Sequence, residues 1–175
     1  MKDRTKLALA KVLQELLRTK TLDEVRVSEL CARCNLQRQS FYYHFQDKYD
    51  LVAWIFLQDI RHGFAESGNR ISLECITTVL HTVYDKKDFY LRILEDRSQN
   101  LPLTYIQDYI YRFCLDLYRA RDRVAELPMR LCVKVKFLVR GTTGTVWEWL
   151  DGTYDVSAEQ LAQWMFEMVP EELRK

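Results

Sequence analysis

Apolar residues recur at three- and four-residue spacing along most of the chain, separated by short polar clusters, and this pattern predicts helices throughout. Leu9, Leu13, Leu16 and Leu17 mark the inner face of a first helix from about Thr5 to Arg18, with Lys11, Glu15 and Arg18 facing outward. A second, short helix covers about Val27 to Arg33. After a break at Cys34-Asn35-Leu36, a third covers about Arg38 to His44, and a fourth begins near Lys48 and carries Leu51, Val52, Ile55, Phe56 and Ile60. Ser67-Gly68-Asn69-Arg70 reads as a linker. Residues 1–50 are therefore expected to form one domain, the helix at about 48–66 a connection, and residues 67–175 a second domain.

In that second part Ser72 suits the cap of a helix through about Tyr84, and Asp88 the cap of a short one that Ser98-Gln99-Asn100-Leu101-Pro102 would stop. A long helix from about Leu103 to Glu126 follows. Pro128 fits the first turn of another, reaching about Leu150, on which Leu131, Val135, Leu138, Thr142, Thr145 and Trp149 keep heptad-like spacing and Val139, Val146 and Leu150 widen the stripe. Ser157 with Gln160 three residues on predicts a capping box for a last helix with Leu161, Trp164, Met165 and Met168, closed by Pro170. The expected fold class is all-α.

Composition agrees. A chain of 175 residues with 5 Gly and 3 Pro is neither turn-rich nor low in complexity. No apolar run reaches the roughly 18 residues of a membrane span, the basic start lacks the apolar core of a leader, and 5 Cys without framework spacing suit a reducing compartment. A cytoplasmic protein with no membrane partner is expected. The net charge of +1 says little, yet residues 1–50 hold ten basic side chains against seven acidic ones, a local excess that permits a polyanionic partner.

The most informative stretch is VSELCARCNLQRQSFYYHFQDKYDL, residues 27–51. Two short helices joined by a tight turn form a helix-turn-helix layout, and Asn35 occupies the turn, where after Gly it is the residue that best tolerates a left-handed conformation. Leu30, Leu36, Phe41 and Phe45 would pin the two helices. What stays outside on the second helix is Gln37, Arg38, Gln39, Ser40, Tyr42, Tyr43 and His44, a dense row of hydrogen-bonding groups with little charge. Such a face suits DNA: Arg pairs bidentately with guanine, Gln with adenine, and hydroxyl and ammonium groups reach phosphate oxygens.

At these residues the chain resembles the TetR family of bacterial transcription regulators. The resemblance covers about residues 5–60, through the apolar first helix, the V-x-x-L of the second, the turn, SFYYHF, and the following D-K-x-x-L. Carried onto matching positions, it implies that Ser28 and Gln37, Arg38, Gln39, Ser40, Tyr42, Tyr43 and His44 face double-stranded DNA and that Lys48 holds a phosphate. Asn35 replaces the Gly usual at that turn and Gln37 the commoner Ser or Thr, so base preference does not transfer. The run RQSFYYHFQDKYDLVAWIF looks still more like the subgroup that includes the dihydroxyacetone-kinase operon activator.

The resemblance further implies a homodimer held by the last two long helices and an effector pocket in the C-terminal part. The expected dimer residues are Leu131, Val135, Leu138, Val146, Trp149, Leu161, Trp164, Met165 and Met168, and Gly141 and Gly144 would admit close helix approach. Pocket candidates are Tyr84, Phe89, Tyr105, Tyr109 and Phe113. The expected function is a dimeric repressor of a pseudo-palindromic operator, modulated through its C-terminal part. In the alternative, that part receives a protein co-regulator instead of a small molecule. No cofactor or metal is expected: Cys31 and Cys34 spell a lone C-x-x-C, and the G-T-T-G at 141–144 lies within a helical pattern. No grouping of nucleophile, base and acid points to an enzyme.

Overall fold

The computed structural model describes residues 2–66, 71–95 and 101–174. Among them the chain is all-α: α1 (Lys2–Leu16), α2 (Val27–Arg33), α3 (Arg38–Tyr42), α4 (Lys48–Glu66), α5 (Leu73–Tyr84), α6 (Lys87–Leu94), α7 (Leu101–Asp122), α8 (Met129–Asp151), α9 (Ala158–Met168) and α10 (Glu171–Arg174). The linker expected at residues 67–70 and the stop expected at Ser98-Gln99-Asn100 lie outside the described residues.

Local chemistry explains most boundaries. Ser72 accepts from the Cys75 amide at 3.0 Å and Ser157 from the Gln160 amide at 3.2 Å, each satisfying one orphan donor of the helix it opens. Asp88 does not cap α6; Lys86 precedes it without a side-chain bond, and Asp88 sits inside the first turn, where its charge suits the helix dipole. Pro102 belongs to the first turn of α7 instead of ending α6, a position where the missing proline N–H costs nothing. Pro128 stands one residue outside α8 as its N-cap. Pro170 closes α9 and at once starts α10, a turn absent from the sequence pattern.

The chain divides into two compact units whose borders cut through helices. The first holds residues Met1–Phe56 and Lys86–Ile106, the second Leu57–Asp85 and Gln107–Lys175. This differs from the expected cut at 50 and 67. Part of the reason lies in the first unit, where Tyr90 of α6 is fully buried and meets Phe56 edge-to-face at 5.2 Å, so that α6 completes a core begun on α1 to α4.

In the first unit, Leu9, Leu13, Leu16 and Leu17 are buried as their spacing predicts, together with Leu22, Val25, Leu30, Phe41, Phe45, Leu51 and Val52. In the second, α5 packs on α9 and buries Cys75, Leu80 and Val83 with Leu161, Ala162 and Met165. Gly63 of α4 comes close to α5: a Cβ there would stand 2.7 Å from Val79 Cγ2 and 3.2 Å from the Cys75 carbonyl.

Candidate nucleic-acid interface

The turn between α2 and α3 is built as a Schellman motif. The Leu36 amide donates to the Cys31 carbonyl at 2.8 Å and the Asn35 amide to Ala32 at 3.2 Å, which places Asn35 at φ 53°. The left-handed residue expected from sequence is therefore Asn35. From there α3 runs only five residues, shorter than expected, because beyond Tyr42 the chain closes as a turn through His44 N to Phe41 O at 2.9 Å.

Phe41 is fully buried and lies 5.8 Å from Phe45, which meets Trp54 edge-to-face at 6.0 Å. This aromatic stack fixes the rotation of α3. Gln37, Arg38, Gln39, Tyr42 and Tyr43 then stand outside, Ser40 and His44 are half-buried, and Ser28 is exposed on α2. Tyr43, at 68% exposure, is far more open than a structural tyrosine needs to be. Gln37 occupies the N-cap position of α3 without spending its side chain on the cap. An Arg38 Nη donates to the Tyr42 hydroxyl at 3.4 Å, one turn along the same face, so the guanidinium is held over the helix surface.

Lys48 differs from the expectation. Its Nζ donates to the carbonyls of Leu22 at 2.6 Å, Asp23 at 3.2 Å and Val25 at 3.2 Å. An ammonium has three protons, and three carbonyls of the α1–α2 connection take them. The residue expected to grip phosphate is instead engaged in tying α4 to that connection. Nearby, Lys20 Nζ bridges both Glu29 oxygens at 2.8 and 2.9 Å, and this hydrogen bond holds the Glu29 carboxyl below its ordinary value.

Sequence reasoning gives Asp47, the first residue of D-K-x-x-L, and Asp50 no role. Asp47 Oδ1 accepts from the amides of Tyr49 and Asp50 at 2.8 and 2.9 Å, while Asp50 Oδ2 accepts from the Gln46 amide at 2.9 Å. An acidic pair three apart ahead of an apolar run was the available signal.

The five pocket candidates do not fall in one unit. Phe89 and Tyr105 belong to the first, Tyr84, Tyr109 and Phe113 to the second. Phe89 packs on Tyr90 at 5.0 Å, and the Tyr105 hydroxyl donates to Asp47. Tyr84 is exposed against Trp149, and Phe113 lies edge-to-face on Phe64 at 5.3 Å with Arg61 over its ring.

The α8 stripe also divides. Val135, Val139, Thr143, Val146, Trp147, Trp149 and Leu150 are buried within this chain, and Trp149 Nε1 donates to the Val156 carbonyl at 2.8 Å. Val135, Val146, Trp149, Leu161 and Met165 are thus core residues of the protomer, while Leu131 and Leu138 are half-buried. Other apolar side chains are open: Met129, Val133 and Phe137, spaced four apart on α8, and Trp164 and Met168, four apart on α9. Beyond the neighbouring backbone of α8 itself, nothing described comes within 4 Å of a Cβ built on Gly141 or Gly144. Among the described residues no helix is long and apolar enough to cross a membrane.

Comparison with known proteins decides the family. Residues 11–55 match the model for bacterial regulatory proteins of the tetR family, and residues 72–171, more than half of the chain, match that for a TetR-type transcriptional regulator C-terminal region. The chain belongs to the TetR family of transcription regulators. As a TetR-family protein it is also similar to the HTH-type dhaKLM operon transcriptional activator DhaS of Lactococcus lactis subsp. lactis (strain IL1403), 32% identical over 65 residues, or 37% of this chain and 33% of that relative. The match thus spans about a third of the relative's length. A solved structure titled dihydroxyacetone kinase operon activator DhaS shares the TetR-family fold at TM-score 0.55 and 15% identity, over 97% of this chain and 96% of that one. The helix-turn-helix of this TetR-family chain, α2 and α3, lies within the residues matched by the tetR-family model.

Proposed function

We propose that this regulator binds a pseudo-palindromic DNA duplex as a homodimer, each protomer laying α3 in a major groove with half-sites about 34–36 Å apart or a modest stretch beyond. The observation that carries this reading is the α3 surface: Gln37, Arg38, Gln39, Tyr42 and Tyr43 face outward around a buried Phe41. Arg38, Gln37 and Gln39 read base edges; Ser28, Ser40, Tyr42, Tyr43 and His44 supply hydroxyl, phenol and imidazole groups for the backbone. A helix of five residues touches few base pairs, so specificity requires a second copy.

The second copy docks on the face formed by Met129, Val133, Phe137, Trp164 and Met168. Phe137 is 78% exposed, and large apolar side chains left open at this density mark an interface. A two-fold axis brings such a patch onto itself, and the bare backbone at Gly141 and Gly144 leaves room for a partner helix.

The C-terminal unit sets the regulatory response, by repression in the reading from sequence. The relative's name is that of an operon activator, and that resemblance favours a second reading in which the regulator activates. Selection of duplexes from a random pool, followed by footprinting, tests the DNA reading: protection of two half-sites is expected, and full-affinity protection of one half-site by a monomer would sink it. A reporter placed behind the selected site gives the sign.

A further inference from the structure

Because α3 is only five residues long, it cannot hold its own orientation; a helix so short is set by what flanks it. Its upstream flank is the Schellman turn at Asn35. Its downstream flank is the link from Phe45 to Asp47, held at the Gln46 amide by Asp50 and at its end by Asp47, which joins it to α4. One carboxylate oxygen caps α4 through the Tyr49 and Asp50 amides. The other, Oδ2, accepts the Tyr105 hydroxyl at 2.8 Å from α7, fifty-eight positions along the chain but inside the same compact unit. The Tyr105 ring meanwhile lies 6.4 Å from the Tyr49 ring, so it is packed independently of its hydroxyl.

We infer that Tyr105 is a positioning residue for DNA binding: its hydroxyl fixes the Asp47 carboxylate and thereby the angle at which α3 is presented. The inference rests on the DNA reading proposed above. A bond from a neutral hydroxyl to a carboxylate is strong and directional. It removes the rotation that a carboxylate held only by two amides of its own helix retains, and it leaves Asp47 less able to attract the ammonium of the adjacent Lys48 away from the carbonyls of Leu22, Asp23 and Val25. The hydroxyl of the tyrosine goes to Asp47, and its effect on α3 passes through that carboxylate.

The test uses the full chain and a duplex enriched by the wild-type protein from a random pool. Tyr105→Phe keeps the ring and deletes the donor. It is expected to weaken binding about three- to tenfold, a fraction of the worth of one hydrogen bond to a charged group, with base preference and salt slope unchanged. Binding is measured where circular dichroism shows every variant folded, since lost stability does not alter the affinity of a fully folded chain. Asp47→Ser retains a cap oxygen for α4 but has none left for Tyr105; it should cost the same factor, and Tyr105→Phe should add nothing in that background. Wild-type affinity in Tyr105→Phe, or additive losses in the double variant, would overturn the inference and leave the DNA reading standing. Failure of the wild-type chain to enrich any duplex would overturn both.

Discussion

The Lys48 ammonium donates to the Leu22 carbonyl at 2.6 Å, across twenty-six positions of sequence. Joined by Asp23 and Val25, that carbonyl makes the start of α4 a fixed point for the α1–α2 connection. Lys48→Ala is therefore expected to destabilise the fold by about 1–3 kcal/mol, since the part-buried bonds to the Leu22 and Val25 carbonyls lose their charged donor. Chemical denaturation measures this. Unchanged stability with a salt slope of DNA binding lower by about one unit would return Lys48 to phosphate contact.

Arg38 should decide one base pair. Arg38→Ala is expected to relax preference at a single position of each half-site by roughly tenfold or more, with other positions unaffected. Repeating the duplex selection with the variant reads this out. An identical selected sequence would remove Arg38 from base reading.

Charge on the open face and charge in the core should behave differently. Phe137→Asp is expected to give folded monomers, because the side chain is 78% exposed in the protomer and covered only in the proposed dimer. Val146→Asp places a carboxylate where this chain's own core closes, and should unfold it at a cost of several kcal/mol. Sedimentation with circular dichroism separates the two outcomes. An intact Phe137→Asp dimer at micromolar concentration would move the interface elsewhere.

Asn35 bears the left-handed turn at φ 53°. Asn35→Gly should be neutral or slightly stabilising, whereas Asn35→Ala should cost about 1–2 kcal/mol, the penalty for a Cβ in that conformation. Thermal unfolding compares them. Equal midpoints for both would mean that the turn relaxes.

Acid should loosen the contact of α2 with the chain before it. The hydrogen bond from Lys20 lowers the folded Glu29 carboxyl below its ordinary 4.5, so the unfolded chain takes up the proton first. The stabilisation is present in full above that ordinary value and is lost as pH falls through the lower folded one. Urea midpoints measured from pH 7 to 3 should show a steeper acid decline in the wild type than in Glu29→Gln. Parallel curves would rule out the contribution.

Several features were open to sequence reasoning because each depends on residues close in the chain. The buried stripe of α1, the caps at Ser72 and Ser157, the span of α2 and the left-handed Asn35 all follow from local hydrogen bonding and helical period. The outward row on α3 was legible for the same reason: once Phe41 and Phe45 are core, helical geometry sends Arg38, Gln39 and Tyr42 the other way.

Tertiary structure decided the rest. Heptad spacing on α8 showed that one face is apolar, but spacing cannot say whether that face meets its own chain or another; here Val135, Val146 and Trp149 go to the protomer's core and Phe137 stays open. The sequence places Tyr105 among pocket aromatics, and only the fold brings its hydroxyl to Asp47. The basic character of Lys48 was plain in the sequence, whereas its partners lie twenty-three to twenty-six positions away, at a distance that only folding closes. Periodicity and capping are properties of a segment; the destination of a charged or hydroxyl group is a property of whatever packs beside it.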